Sequence, residues 1–218
     1  MGRADGIVRR LSGRFISLEG GEGAGKSTQV RRLAEALREH GLEVVVTREP
    51  GGSEGAEAIR ALLLQGAQTR WSVRSEALLF AAARADHVEK TIAPAISAGA
   101  WVICDRYLDS SRAYQGLAGG IEDAEILALH DFGSCGLLPD RTFVLEVPVA
   151  QGRARAESRD GAAADRFAAR DDAFHTDVAA AFRRFAASEP ERFRLIDAAA
   201  DPDSVTEALL AGLADLLP

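Results

Sequence analysis

The chain has little cysteine, no long apolar run and no excess of positive charge. Two cysteines, Cys104 and Cys135, occur in 218 residues. They lack metal-ligand spacing and cannot make a disulfide framework. Cys104 falls inside an apolar run and reads as an inert core residue. No stretch of about 18 or more apolar residues is present, which argues against a membrane-spanning helix, and no signal-like segment is visible. The cytoplasm is therefore the expected compartment. A formal net charge of -7 argues against a general nucleic-acid binder. No internal repeat is visible. The 47% hydrophobic content is enough for a sizeable core, and the length suits one large domain.

What is present begins with "FISLEGGEGAGKSTQ", Phe15 to Gln29. The spacing Gly20-x-x-x-x-Gly25-Lys26-Ser27 fits the phosphate loop of nucleoside-triphosphate-binding proteins. Each part has a physical task. Backbone N–H groups form a nest around phosphate. Lys26 reaches the β- and γ-phosphates, and the Ser27 hydroxyl takes Mg²⁺. The following helix presents its positive N-terminal end to the same anion. The nucleotide-binding stretch is Gly20, Gly21, Glu22, Gly23, Ala24, Gly25, Lys26, Ser27 and Thr28. Phe15, Ile16 and Leu18 read as a buried strand before it. "QVRRLAEALREH" reads as a helix after it, with Val30, Leu33, Ala34 and Leu37 on one stripe.

Strands and helices then alternate. Apolar runs at 42–47, 100–105, 140–148 and 192–198 read as further strands. Helices are expected at 53–66 (Ser53 as N-cap, Gly66 as stop), 72–99 (bent or broken at Pro94), 121–132 and 202–217. Five apolar strands separated by helices argue an α/β, three-layer fold of the P-loop NTPase type. Its five-stranded parallel sheet is flanked by helices, with the ligand crevice at the strands' carboxyl ends. Residues 1–14 read as a disordered tail before a single domain at 15–218. The arginine-rich segment from 153 to about 170 is either a solvated helix pair or a lid over polyphosphate, and arginines clustered in an acidic protein favour the lid.

A phosphate loop alone spans GTPases, motor ATPases and small-molecule kinases. Neither a strand-borne DxxG switch nor an [NT]KxD motif is found. A kinase needs a second anion site facing the first, and "CDRYLDSSRAYQG" supplies one. Arg106, at the third strand's end, would clamp an acceptor's phosphate; Asp105 would hold a Mg²⁺-bound water or orient Ser27 or Lys26. Together, "EGGEGAGKST", "TREPGGSEGAEAIR", "EALLFAAAR" and "DRYLDSSRAYQG" resemble the bacterial form of thymidylate kinase. The resemblance runs from Phe15 to the C-terminus, densest over 15–120. It implies transfer of the γ-phosphoryl group of ATP to dTMP, giving dTDP and ADP for dTTP synthesis, with Mg²⁺ and in a homodimer.

The resemblance also implies roles for single residues. Glu22 is expected near the sugar 3′-hydroxyl and the metal, with Ser27 and Asp105. Glu49 and Pro50 would line the acceptor site. Arg60 would approach the acceptor phosphate beside Arg106. Phe80 would stack on thymine and Arg84 bond its O4; their i, i+4 spacing puts both on one helix face. Ser110, Ser111, Tyr114 and Gln115 would read the base N3 edge and pack the deoxyribose, Tyr114 crowding position 2′. Gly23 and Ala24 stand where one branch of the family has a basic residue, so a lid arginine is expected to stabilise the transition state. Arg153, Arg155, Arg159 and Arg166 compete for that role, with Arg159 the first choice. Ala168 stands where the family often has an acidic residue. Two rivals remain: another P-loop (deoxy)nucleotide kinase, and a non-enzymatic ATP-binding regulatory protein.

Overall fold

The computed structural model describes residues 13–160, 166, 167 and 170–218. Five strands, β1 (Phe15–Gly20), β2 (Val44–Arg48), β3 (Trp101–Asp105), β4 (Arg141–Glu146) and β5 (Phe193–Asp197), form one sheet in the order β2-β3-β1-β4-β5. Every pairing is parallel. β1 is central and buried throughout, as a strand covered on both faces should be. Its side chains alternate between two cores. Ile16 and Leu18 pack with Leu33 and Leu37 of α1 (Lys26–Glu39) and with Leu209 of α9 (Pro202–Ala211). Phe15 faces the opposite side, with Val102, Cys104, Tyr107 and Ile92.

Helix boundaries follow local chemistry. Ser53 caps α2 (Glu54–Leu64), its hydroxyl accepting from Ala56 N–H. Ser72 caps α3 (Val73–His87) in the same way. The expected break at Pro94 is instead a π-helical turn, Val88–Ile92, that runs into α4 (Ala93–Ser97). Pro94 sits in the first turn of α4, directly after the π-helical turn; a proline inside a helix cannot donate to the carbonyl four residues back, and the wider turn before it accommodates that loss without ending the helix.

Two helical regions were not expected. α5 (Leu108–Ser111) continues into a π-helical stretch, Arg112–Leu117, directly after β3. α6 (Asp123–Ser134) and α7 (Val149–Asp160) follow, and then α8 (Asp172–Ser188) buries Val178, Ala181, Phe182 and Phe185 on one stripe. Of the expected tail, residues 1–12 lie outside the described residues. Arg14 departs from that expectation: its carbonyl accepts from Val102 N–H at 2.7 Å and its guanidinium pairs with Asp140 at 2.9 Å. Chain order reverses beside β1, and Leu18 pairs with Asp105. The loops leaving β1 and β3 therefore open into one crevice.

Candidate active site

The phosphate loop leaves β1 at Gly20 and enters α1 through Gly25, whose φ of 88° caps the helix in the left-handed region. Gly23 also has positive φ, 65°, and a Cβ there would lie 1.9 Å from the Gly152 carbonyl. The first turn of α7 thus sits on the loop, leaving no room for a basic side chain at 23. Lys26 donates to the carbonyls of Gly20 (3.1 Å) and Gly21 (2.7 Å). Burial, then repulsion from Arg106, pushes the Lys26 ammonium down to about 8, against the pull of Glu22, Asp105 and Glu19.

Asp105, ending β3, accepts from the Ser27 hydroxyl at 2.7 Å. Among the described residues no cluster of three histidine, cysteine or carboxylate side chains forms a metal cage. Two hard oxygen ligands beside a phosphate loop do fit Mg²⁺, which keeps waters and binds through phosphates and one or two protein oxygens. Glu22, expected with them, accepts from Arg106 at 2.7 Å.

Arg106 follows β3 with φ 68°, a left-handed conformation that is strained for a residue with a Cβ. Its N–H donates to Leu18 at 2.9 Å, and the next N–H, of Tyr107, donates to Glu19 at 2.8 Å. The bend aims the guanidinium at the phosphate loop, where it reaches the Gly20 carbonyl at 3.1 Å and Ser110 Oγ at 3.2 Å. Burial opposes its charge, but Tyr114 and the carboxylates of Glu22, Asp105 and Glu19 keep it firmly protonated. Glu19 is fully buried, and its other oxygen accepts from Ser110 Oγ at 2.6 Å. Burial first, then Asp109, pushes its carboxyl up to about 7. Nothing in the sequence marks Glu19 beyond its place before the glycines.

Beyond Arg106 a pocket gathers Glu22, Glu49, Pro50, Arg60, Phe80, Arg84, Arg106, Ser110, Ser111, Tyr114 and Gln115, joined by Leu64 and Phe167. Arg84 is 3% exposed. Its Nε donates to Glu49 at 2.8 Å, and its Nη2 to Ser111 Oγ at 3.0 Å and to the Tyr107 carbonyl. Nη1 has no hydrogen bond among the described residues. Glu49 also meets His87 Nδ1 at 3.1 Å, so His87 is part of a buried support. Arg60 donates to the Pro50 carbonyl at 2.6 Å. The Tyr114 hydroxyl is buried with no hydrogen-bond partner among the described residues; the Arg106 guanidinium lies 5.3 Å from its ring centroid.

Phe167 closes one side of this pocket, its ring 5.7 Å from Phe80 and 6.4 Å from Tyr114. Beside it Arg166 donates to the Leu63 carbonyl at 2.6 Å, to the Gln68 carbonyl and to Glu76. Both partners of the Arg166–Glu76 pair have side chains 2% exposed. Arg166 is therefore an anchor rather than a spare charge. Arg153 pairs with Glu157 and Asp172, and Arg155 donates to the Ala198 carbonyl at 3.1 Å. Arg159 lies in α7, its side chain outside the described residues, and Ala168 lies outside them altogether. Cys104 is buried, its thiol directed to the Arg106 carbonyl and pushed up by burial.

A family model described as "Thymidylate kinase" matches residues 18–209. The chain is 62% identical over 208 residues to a thymidylate kinase of Rhizorhabdus wittichii, covering 95% of this chain and all of that one. It is 52% identical over 197 residues to a thymidylate kinase of Caulobacter vibrioides, covering 90% and 94%. The crystal structure of thymidylate kinase from Ehrlichia chaffeensis superposes with a TM-score of 0.74 at 32% identity, covering 93% of this chain and 99% of that one. The chain therefore belongs to the thymidylate kinase family.

Proposed function

We propose that this chain transfers the γ-phosphoryl group of ATP to dTMP, giving dTDP and ADP. One observation carries the reading: every side chain that the family resemblance implies for the acceptor lines a single pocket, which shares Glu22 and Arg106 with the phosphate loop.

ATP phosphates lie in the nest before α1. Lys26 exchanges its two carbonyl partners for phosphate oxygens, which restores full charge to an ammonium that burial has weakened. Ser27 and Asp105 hold Mg²⁺, which when bound offsets phosphate charge. Arg106 clamps the dTMP phosphate, with Arg60 approaching from α2. Phe80 stacks on the base, Arg84 offers Nη1 to O4, and Tyr114 packs against the sugar. Catalysis is positioning plus electrostatics, without a covalent intermediate. Arg159 is assigned the charge on the migrating group. In support, α7 begins on the phosphate loop at Gly152, and Arg166 is committed to Glu76.

A homodimer fits the exposure of Leu78 and Phe132, on the mutually packed α3 and α6; light scattering should give twice the chain mass. No helix of the described residues is long and apolar enough to cross a membrane, in keeping with a cytoplasmic site of action. The functional test is product analysis with ATP, Mg²⁺ and dTMP. Equal yields of ADP and dTDP are expected. ATP hydrolysis indifferent to every monophosphate would favour the regulatory alternative.

A further inference from the structure

Glu76 has no place in the mechanism above, yet it is a buried carboxylate one helical turn before Phe80. Its Oε1 takes Arg166, with Arg170 at 3.7 Å. Its Oε2 takes Gln115 Nε2 at 3.4 Å. Gln115 is 2% exposed and lines the acceptor pocket beside Arg84 and Ser111. We propose that Glu76 is a positioning residue that fixes the Gln115 amide with its carbonyl oxygen toward the acceptor base, and so selects bases carrying N3–H.

The argument is one of donors and acceptors. A carboxylate paired with arginine offers only acceptors, whereas a glutamine amide has a donor end and an acceptor end. The donor end must therefore turn to Glu76, whichever way the amide atoms are assigned. That leaves Oε1 for the pocket. Arg84 Nη1 and Gln115 Oε1 then form a donor beside an acceptor, the complement of O4 beside N3–H in thymine and uracil. Cytosine presents the reverse order, an amino donor beside a bare N3 acceptor, and meets two like pairs. A neutral side chain at 76 could accept or donate, and the amide would be free to turn. The Arg166 clamp, from a segment about 90 residues away in sequence, holds the carboxylate in place, so anchoring the lid and reading the base share one side chain.

This inference rests on the reading of Gln115 as a base contact, and the test separates the two. The probe is the 3-deaza analogue of dTMP, in which ring N3–H is replaced by C–H, assayed at a pH above the ionisation of its 4-hydroxyl so that O4 still accepts from Arg84. Wild-type enzyme should prefer dTMP over it by about tenfold or more in kcat/KM, since the buried Gln115 oxygen is left unpaired. In E76Q, kcat/KM for dTMP should fall and the two substrates should come within about twofold. An E76Q enzyme with the wild-type ratio overturns the proposal. A wild-type enzyme that turns over dTMP without distinguishing the analogue overturns the Gln115 reading and the proposal with it. A wild-type enzyme inactive on dTMP overturns the assigned function.

Because E76Q leaves Arg166 without a countercharge and lowers stability, a second measurement uses the unaltered protein. The ¹⁵N-labelled Gln115 side-chain NH₂ should exchange slowly and hold its resonances when dTMP binds, while the N3 imino proton of bound dTMP appears downfield. An NH₂ that exchanges freely, or shifts as a direct contact does on adding dTMP, overturns the proposal.

Discussion

Lys26 and Arg106 are held from below by main-chain carbonyls of the phosphate loop. Phe167 reaches the acceptor pocket from above, out of the stretch between α7 and α8, against the rings of Phe80 and Tyr114, and Arg166 beside it is held by a side-chain ion pair with Glu76. The floor grows from the ends of two central parallel strands, whose register places Leu18 against Asp105. The roof joins elements distant in sequence. A floor built on the sheet is ready before substrate arrives, which suits groups that must meet developing charge. A roof built from a distant segment suits closure and selection. Changes in the floor should damage chemistry, and changes in the roof should damage acceptor binding and choice.

The largest break in that comparison should come from the floor. Lys26→Ala should lower turnover by about 10²–10³-fold. Its thermal unfolding midpoint should stay close to wild type, because the side chain faces ligand. Near-normal ADP production would overturn the phosphate-loop assignment.

Arg106→Lys should come next. A lysine cannot reproduce a bidentate pairing with phosphate, and the loss should be roughly 10–100-fold in kcat/KM for dTMP. Both KM and kcat should change, with ATP affinity unaltered. A collapse of ATP affinity with dTMP affinity intact would mean that the two sites are exchanged.

Phe167→Ala opens the roof without removing a charged side chain, although it takes away the ring that the Arg166 guanidinium covers at 4.8 Å. It should raise the KM for dTMP by roughly tenfold, the loss of part of an aromatic contact. The kcat should stay within about threefold, unlike either floor variant. A drop in kcat matching that of Lys26→Ala would erase the distinction between floor and roof.

The smallest effect sharpens the floor. With the Lys26 ammonium pushed down to about 8 by burial and then Arg106, raising pH through that value strips charge from the free enzyme. Bound phosphate restores the charge, so binding must take up a proton. ATP affinity should fall by about threefold between pH 7.5 and 8.5. Calorimetry in buffers of different ionisation enthalpy should register the uptake. A flat profile without proton uptake would show that Lys26 stays charged in the empty loop.

The floor was legible in the sequence because its chemistry is contiguous. One short motif carries Gly20 to Ser27, and Asp105-Arg106 ends an apolar run. Phe80 and Arg84 were placed by helical spacing as well as by resemblance, and Ser53 by cap chemistry. The roof was not legible, because its bonds join Glu76 to Arg166 and Phe80 to Phe167, and no periodicity links residues so far apart. α8 did carry a readable stripe in Val178, Ala181, Phe182 and Phe185, but it follows a charge run that draws attention to the lid. α5 and its π-helical continuation left no period to find, since a wider turn shifts the apolar spacing. Glu19 and Glu76 were missed for a common reason. A glutamate in a sequence is exposed by default, and only the fold reveals that these two are enclosed.

The central claim is that this pocket accepts a thymine nucleotide, and the ranking of acceptors tests it most directly. A coupled ADP-release assay with ATP and Mg²⁺ should give kcat/KM for dTMP above dUMP, with dCMP far below both. Uracil loses only a methyl contact worth roughly 1 kcal/mol, whereas cytosine turns an amino donor toward the buried Arg84 guanidinium. Arg84→Ala should narrow the gap between dTMP and dCMP by lowering the former. A wild-type enzyme that phosphorylates dCMP as well as dTMP would contradict the account.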